Sequence, residues 1–113
     1  MDEIAERLDK LEYHQQLLVR MLKDTELPLY YLIVEHDLSK EDTEQVLNIC
    51  EELSKKFKKQ KAEGYVTFYP LLFELQKKIP ASISSLELIH ACIKQGVHTE
   101  FMKEMKSVLQ EGD

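Results

Sequence analysis

Residues 25–33 read TELPLYYLI and residues 67–75 read TFYPLLFEL, and whether these stretches are helices or strands decides the fold. Each opens on Thr-x-x-Pro-Leu and then runs on with little polar interruption. A threonine oxygen can cap a helix, and a proline in the first turn loses nothing because the N–H it lacks would have no intrahelical acceptor. Read this way, Thr25 and Thr67 cap two helices whose apolar residues fill nearly the whole circumference, so both helices are expected to be buried almost all round. The competing reading takes LYYLIV and YVTFY as buried strands, on their aromatic and β-branched content.

The flanking sequence favours helices. Only three glycines and three prolines occur in 113 residues, too few turn-formers for a sandwich or barrel. Lys40 to Lys61 carries Val46, Cys50, Leu53 and Phe57 as an inner stripe with Leu47 and Ile49 beside it, and Glu63-Gly64 supplies a stop. A fourth helix ends at KKIP, where lysines suit the last carbonyls and Pro80 blocks continuation. Ser84-Ser85-Leu86-Glu87 has capping-box spacing for a fifth helix that Gly96 ends. On that helix Glu87, His90 and Lys94 share one narrow face, so it is expected to be the most buried of the set. Thr99 can cap a last helix with Phe101, Met105 and Val108 inward. The expected fold is an all-α bundle of five or six helices in one domain, 1–113. It divides into a heptad helix (1–23), two helical hairpins (25–64 and 67–96) and a C-terminal helix (99–111). The shared Thr-x-x-Pro-Leu start is too short to establish an internal repeat.

In the first helix Ile4, Leu8, Leu11, Leu18 and Leu22 follow alternating steps of four and three, with Gln15 in the one polar slot. That is a heptad seam about three repeats long. Up to Gln16 the seam is narrow; Leu17, Val19 and Met21 then broaden it, as expected of a helix that begins against a partner and ends inside the domain. Ile4, Leu8, Leu11, Gln15 and Leu18 are therefore the candidate interface residues of a homo-oligomer. The alternative is an amphipathic helix folded onto its own core.

Composition sets outer limits. A 43% hydrophobic content can bury a core without disulfides or metals. The net charge of −6 gives no global attraction to nucleic acid or anionic membranes. The longest apolar run, Leu27 to Val34, is too short to span a bilayer. MDEIAERLDK lacks the order of a signal peptide. Two cysteines, Cys50 and Cys92, make no disulfide framework, and a reduced, cytoplasmic setting is expected.

Three stretches invite a chemical reading. In VEHDLSKEDTEQ (34–45), a calcium loop starting at Asp37 would need glycine where Asp42 stands and glutamate where Asn48 stands. Zinc would need a histidine three or four residues from His36. What fits is a corner: a helix ending around His36, Leu38 as an apolar staple, Ser39 as the next cap, and Glu41, Asp42 and Glu44 at the positive end of the dipole. KKFKKQK (55–61) could be a nucleic-acid patch, but its lysines sit at a helix C-terminus, where cations stabilise it, and only Phe57 accompanies them. No nucleophile elbow, glycine-rich phosphate loop or Cys/His pair is present. The His90 strip reads as a satisfied histidine or a contact, and Cys50 and Cys92 as inert core thiols.

The runs LPLYYLIVEHDLSKEDTEQVL, KKFKKQK and FMKEMKSVLQEGD resemble the YhaI-type family of short uncharacterised proteins from Bacillus and its relatives. That resemblance spans the whole chain and implies a multi-helical, self-associating domain, with no catalytic or binding residues to carry over. The expected function is a cytoplasmic helical protein acting through protein contacts, without catalysis, cofactor or membrane. Two alternatives stay open: a nucleic-acid-binding regulator using residues 55–61, and a metal- or small-ligand-binding protein near His36.

Overall fold

A computed structural model describes residues 2–111. They form six helices: α1 (Asp2–Lys23), α2 (Pro28–Glu35), α3 (Lys40–Ala62), α4 (Tyr69–Lys78), α5 (Ser85–Gln95) and α6 (Thr99–Glu111). No strand occurs among the described residues. LYYLIV is helical, while Tyr65 to Phe68 is an irregular link before α4.

Both prolines stand in the first turn of their helices, as the sequence predicts. The threonines do not cap them. Leu27 and Phe68 hold the cap positions and offer no side-chain bond. Thr25 instead turns back to α1, its Oγ1 donating to the Leu22 carbonyl at 2.6 Å. The open amide of Leu29 donates to Gln95 Oε1 at 2.9 Å, from the last turn of α5. A residue far away in sequence thus does the work expected of Thr25. Thr99 is likewise the first residue of α6 rather than its cap, and the His98 carbonyl before it accepts from Met102 N–H at 2.9 Å.

The stop and start signals between α2, α3, α4 and α5 fare better. Gly64 (φ +93°) and Gly96 (φ +78°) take the left-handed conformation. At each, two amides bond back to the last turn: Tyr65 N–H to Gln60 O with Gly64 N–H to Lys61 O, and Val97 N–H to Cys92 O with Gly96 N–H to Ile93 O. Ser39 and Ser84 cap α3 and α5 by accepting from Asp42 N–H and Glu87 N–H.

Helix pairing departs from the two sequential hairpins expected at 25–64 and 67–96. The extensive contacts join α2 to α5 and α3 to α4, and α6 packs against α5, α4 and α3. Burial explains the difference. α2 buries only Leu29 and Leu32, and α4 only Leu71, Leu72 and Leu75. Tyr30, Tyr69 and Phe73 remain exposed, so neither helix is buried all round. Each is a short surface helix with a single inward face, and that face chooses its neighbour. The core runs between α3, α5 and α6, where Phe57, Leu88, Ile89, Phe101, Met102 and Met105 are essentially sealed from solvent. Phe57 stacks edge-on to Phe68 (4.8 Å between centroids) and tilts against Phe101 (5.8 Å), a favoured aromatic geometry.

Candidate protein-contact surface

α1 lies outside that core. It is 22 residues long, about 33 Å at 1.5 Å per residue, and none of its residues is buried. It packs on α2 alone to any extent, with only Val19 and Leu22 half-buried. The described chain measures 63 × 26 × 25 Å with a radius of gyration of 17.2 Å, against about 13 Å for a compact chain of this size. An arm projecting from a globular body accounts for the excess.

The five candidate interface residues all face outward. Ile4, Leu8, Leu11 and Leu18 are each 60–65% exposed, and Gln15 is exposed beside them. The domain does not fold back over the seam. Leu8, Leu11 and Gln15 form one wall of a groove of about 860 Å³, whose other wall is the end of α2 and the following corner, Val34, Glu35 and Asp37. Ile4 and Leu18 lie on the same seam beyond the groove. Ile4, Leu8, Leu11 and Leu18 thus leave an apolar strip open to solvent along α1.

The corner itself is built for geometry. Asp37 adopts φ +51°, a left-handed conformation that aspartate tolerates better than most residues. Its N–H bonds to Val34 O while Leu38 N–H bonds to Ile33 O, closing α2. His36 Nε2 sits 3.1 Å from Glu87 Oε2 on α5 and 3.8 Å from Glu35 Oε1. Among the described residues no three His, Cys, Asp or Glu side chains converge as a metal site would require. Glu87, His90 and Lys94 line a shallow recess of about 290 Å³ against Pro28, Tyr31 and Glu35, open on the α2–α5 side.

Three of the five lysines of the cluster pair with carboxylates. Lys55 pairs with Glu51 at 3.4 Å, Lys56 with Glu74 at 3.3 Å and Lys61 with Glu100 at 2.5 Å. Hydrogen bonding to Glu100 raises the Lys61 ammonium above its usual value, and the same bond lowers Glu100. Glu74 is lowered chiefly by its hydrogen bond from Lys78, with Lys56 adding to it. Lys56 ties α3 to α4, and Lys61 ties α3 to α6.

Cys50 and Cys92, separate in sequence, meet in the core. Both are free and buried. The hydrogen bond with Cys92 is the largest influence raising the Cys50 thiol, with burial and the neighbouring charge adding to it. The same bond lowers Cys92 against the effect of burial. Loss of both protons from the buried pair is suppressed.

Two features escaped the sequence reading. Gln95 as the cap of α2 had no local signal, because its partner is known only once α5 lies beside α2. The exposed aromatic edge of Tyr65, Tyr69 and Phe73, with Val66 90% exposed, did carry one. Tyr69 and Phe73 are four residues apart and stack edge-on at 4.6 Å. A family model described as "Protein of unknown function (DUF1878)" matches residues 1–110 of the chain.

Proposed function

The chain therefore belongs to the DUF1878 family, and from its surfaces we propose that it works through protein contacts rather than catalysis, with α1 joining copies of the chain. One observation carries this reading: a three-repeat heptad seam stands uncovered on a projecting helix. Uncovered, such a helix gains little from packing, since short helices are marginal in water without a buried face. A second α1 would cover it with the spacing that coiled-coil partners select. The resemblance to the YhaI-type proteins, with their self-associating helical character, agrees with this reading. The reduced thiols Cys50 and Cys92 suit a cytoplasmic setting. No described helix is long and apolar enough to cross a membrane. Three of the five lysines of residues 55–61 are ion-paired, which weakens a nucleic-acid role.

Sedimentation or light scattering on the whole chain tests the proposal. The wild type is expected to be oligomeric at micromolar concentration and Leu8→Glu/Leu11→Glu to be monomeric and folded. A monomeric wild type ends the reading, and an oligomer that survives both substitutions moves the interface elsewhere.

A further inference from the structure

We propose that the copies of α1 lie parallel and in register, with Arg7 of each reaching Glu12 of the next. This rests on the self-association reading above and adds its geometry.

The argument begins with which residues share a layer. Ile4, Leu11 and Leu18 recur every seven residues, and Leu8, Gln15 and Leu22 form the second series. In a parallel, in-register pair each residue of a series faces its own counterpart; in an antiparallel pair the two series face each other. Gln15 is the one polar member. Parallel alignment places amide against amide, each with a donor and an acceptor for the other. Any antiparallel alignment sets Gln15 against Ile4, Leu11 or Leu18. Its amide would then be buried without a partner, which costs more than the packing recovers.

Charge makes the same choice. Arg7 and His14 flank one side of the seam, and Ala5, Glu12 and Val19 the other. A parallel pair brings the residue at one flank against the residue five positions later on the partner's opposite flank. Arg7 then faces Glu12 of the second copy, and the reverse, giving two attractive pairs. In an antiparallel pair like flanks meet, and neither Arg7 nor Glu12 finds an opposite charge. The body reinforces this at one rim. Glu12 lines the groove together with Glu35 and Asp37 at the α2–α3 corner, so the guanidinium arriving from the second copy approaches a cluster of carboxylates. Arg20 lines the same groove. A parallel assembly also sets all the globular bodies at one end of the bundle.

Disulfide trapping decides the direction. Residues 4 and 18 stand about 21 Å apart along α1, and a disulfide requires Cα atoms within about 7 Å. Ile4→Cys and Leu18→Cys are made separately in the whole chain and oxidised with glutathione disulfide, which accepts the two electrons and releases two glutathione thiols. Peptide mapping then separates new bonds from the buried Cys50 and Cys92. Efficient crosslinking of both variants to themselves supports the proposal, because an antiparallel pair can bring at most one position beside its own copy. Crosslinking only in equimolar mixtures that combine the two series, Leu8→Cys with Leu18→Cys or Ile4→Cys with Gln15→Cys, overturns the parallel arrangement while leaving self-association standing. An oligomer that traps neither way overturns it as well, and a monomeric wild type removes the reading beneath it. As a second readout, Arg7→Glu should weaken association on the order of tenfold, and Arg7→Glu/Glu12→Arg should restore it. A double variant no tighter than the single one contradicts the Arg7–Glu12 pairing.

Discussion

Gln95 closes the open amide of Leu29, and Ser39 closes that of Asp42. Both bonds satisfy an N–H at a helix start that has no intrahelical acceptor, so the two residues should matter about equally. Gln95→Ala and Ser39→Ala are each expected to lose about 1 kcal/mol in urea denaturation. A silent Gln95→Ala would mean that water serves the Leu29 amide as well as the side chain does. Glu74 supplies the pH dependence. Its carboxyl is held below the usual value by Lys78 and Lys56, so its contribution is present above the unfolded carboxylate range near pH ~4.3 and disappears as pH falls through the lowered native value. Solvent reaches the group, so the effect is about 0.5 kcal/mol or less. Stability measured between pH 7 and 3 should fall less steeply in Glu74→Gln than in the wild type. His36, bound to Glu87, needs no metal to account for its place. Added calcium or zinc is expected to leave the melting temperature unchanged, and a micromolar metal affinity abolished by His36→Ala would contradict the structural role.

Helices define the next scale, and α5 shows how one face decides an element's fate. Leu88 and Ile89 are fully sealed, whereas Ile93 is half-buried at the edge of the core. The strip of Glu87, His90 and Lys94 keeps the opposite side at the surface, so α5 is less enclosed than its apolar sequence suggests. Ile89→Ala should cost roughly 2–5 kcal/mol, since it leaves a cavity that packed neighbours cannot close. Ile93→Ala should cost clearly less, because its site can open to water. Equal losses would place Ile93 deeper than the structure does. α2 and α4 carry a related lesson. Each is apolar enough to be buried all round, yet at eight and ten residues α2 packs only on α5 and α1 to any extent, and α4 only on α3 and α6. Tyr30, Tyr69 and Phe73 stay outside.

At the scale of the whole molecule, α1 sets the shape. A chain with an uncovered 22-residue helix should gain stability on assembly, because whatever binds the folded state alone shifts the unfolding equilibrium. The melting temperature of the wild type is accordingly expected to rise with protein concentration, and that of Leu8→Glu/Leu11→Glu to stay constant. A concentration-independent wild type would show that the arm contributes nothing to stability through association.

Local chemistry made much of this protein legible in its sequence. The three-four spacing of α1, the prolines that open α2 and α4, the serines that cap α3 and α5, and the glycines that end α3 and α5 act within a turn or two of the chain, so neighbouring residues suffice to determine them. The seam from Ile4 to Leu18 was legible for the same reason, as was the corner from His36 to Glu44. Other outcomes depend on partners remote in sequence. Gln95 reaches Leu29 only because α5 lies on α2; Cys50 meets Cys92 only because α3 and α5 share one core; Lys56 and Lys61 find Glu74 and Glu100 only across helices. Apolar content shows that a face seeks burial and leaves open which face receives it. Tertiary packing made that choice, pairing α2 with α5 and α3 with α4 and leaving the seam of α1 without a cover from its own chain.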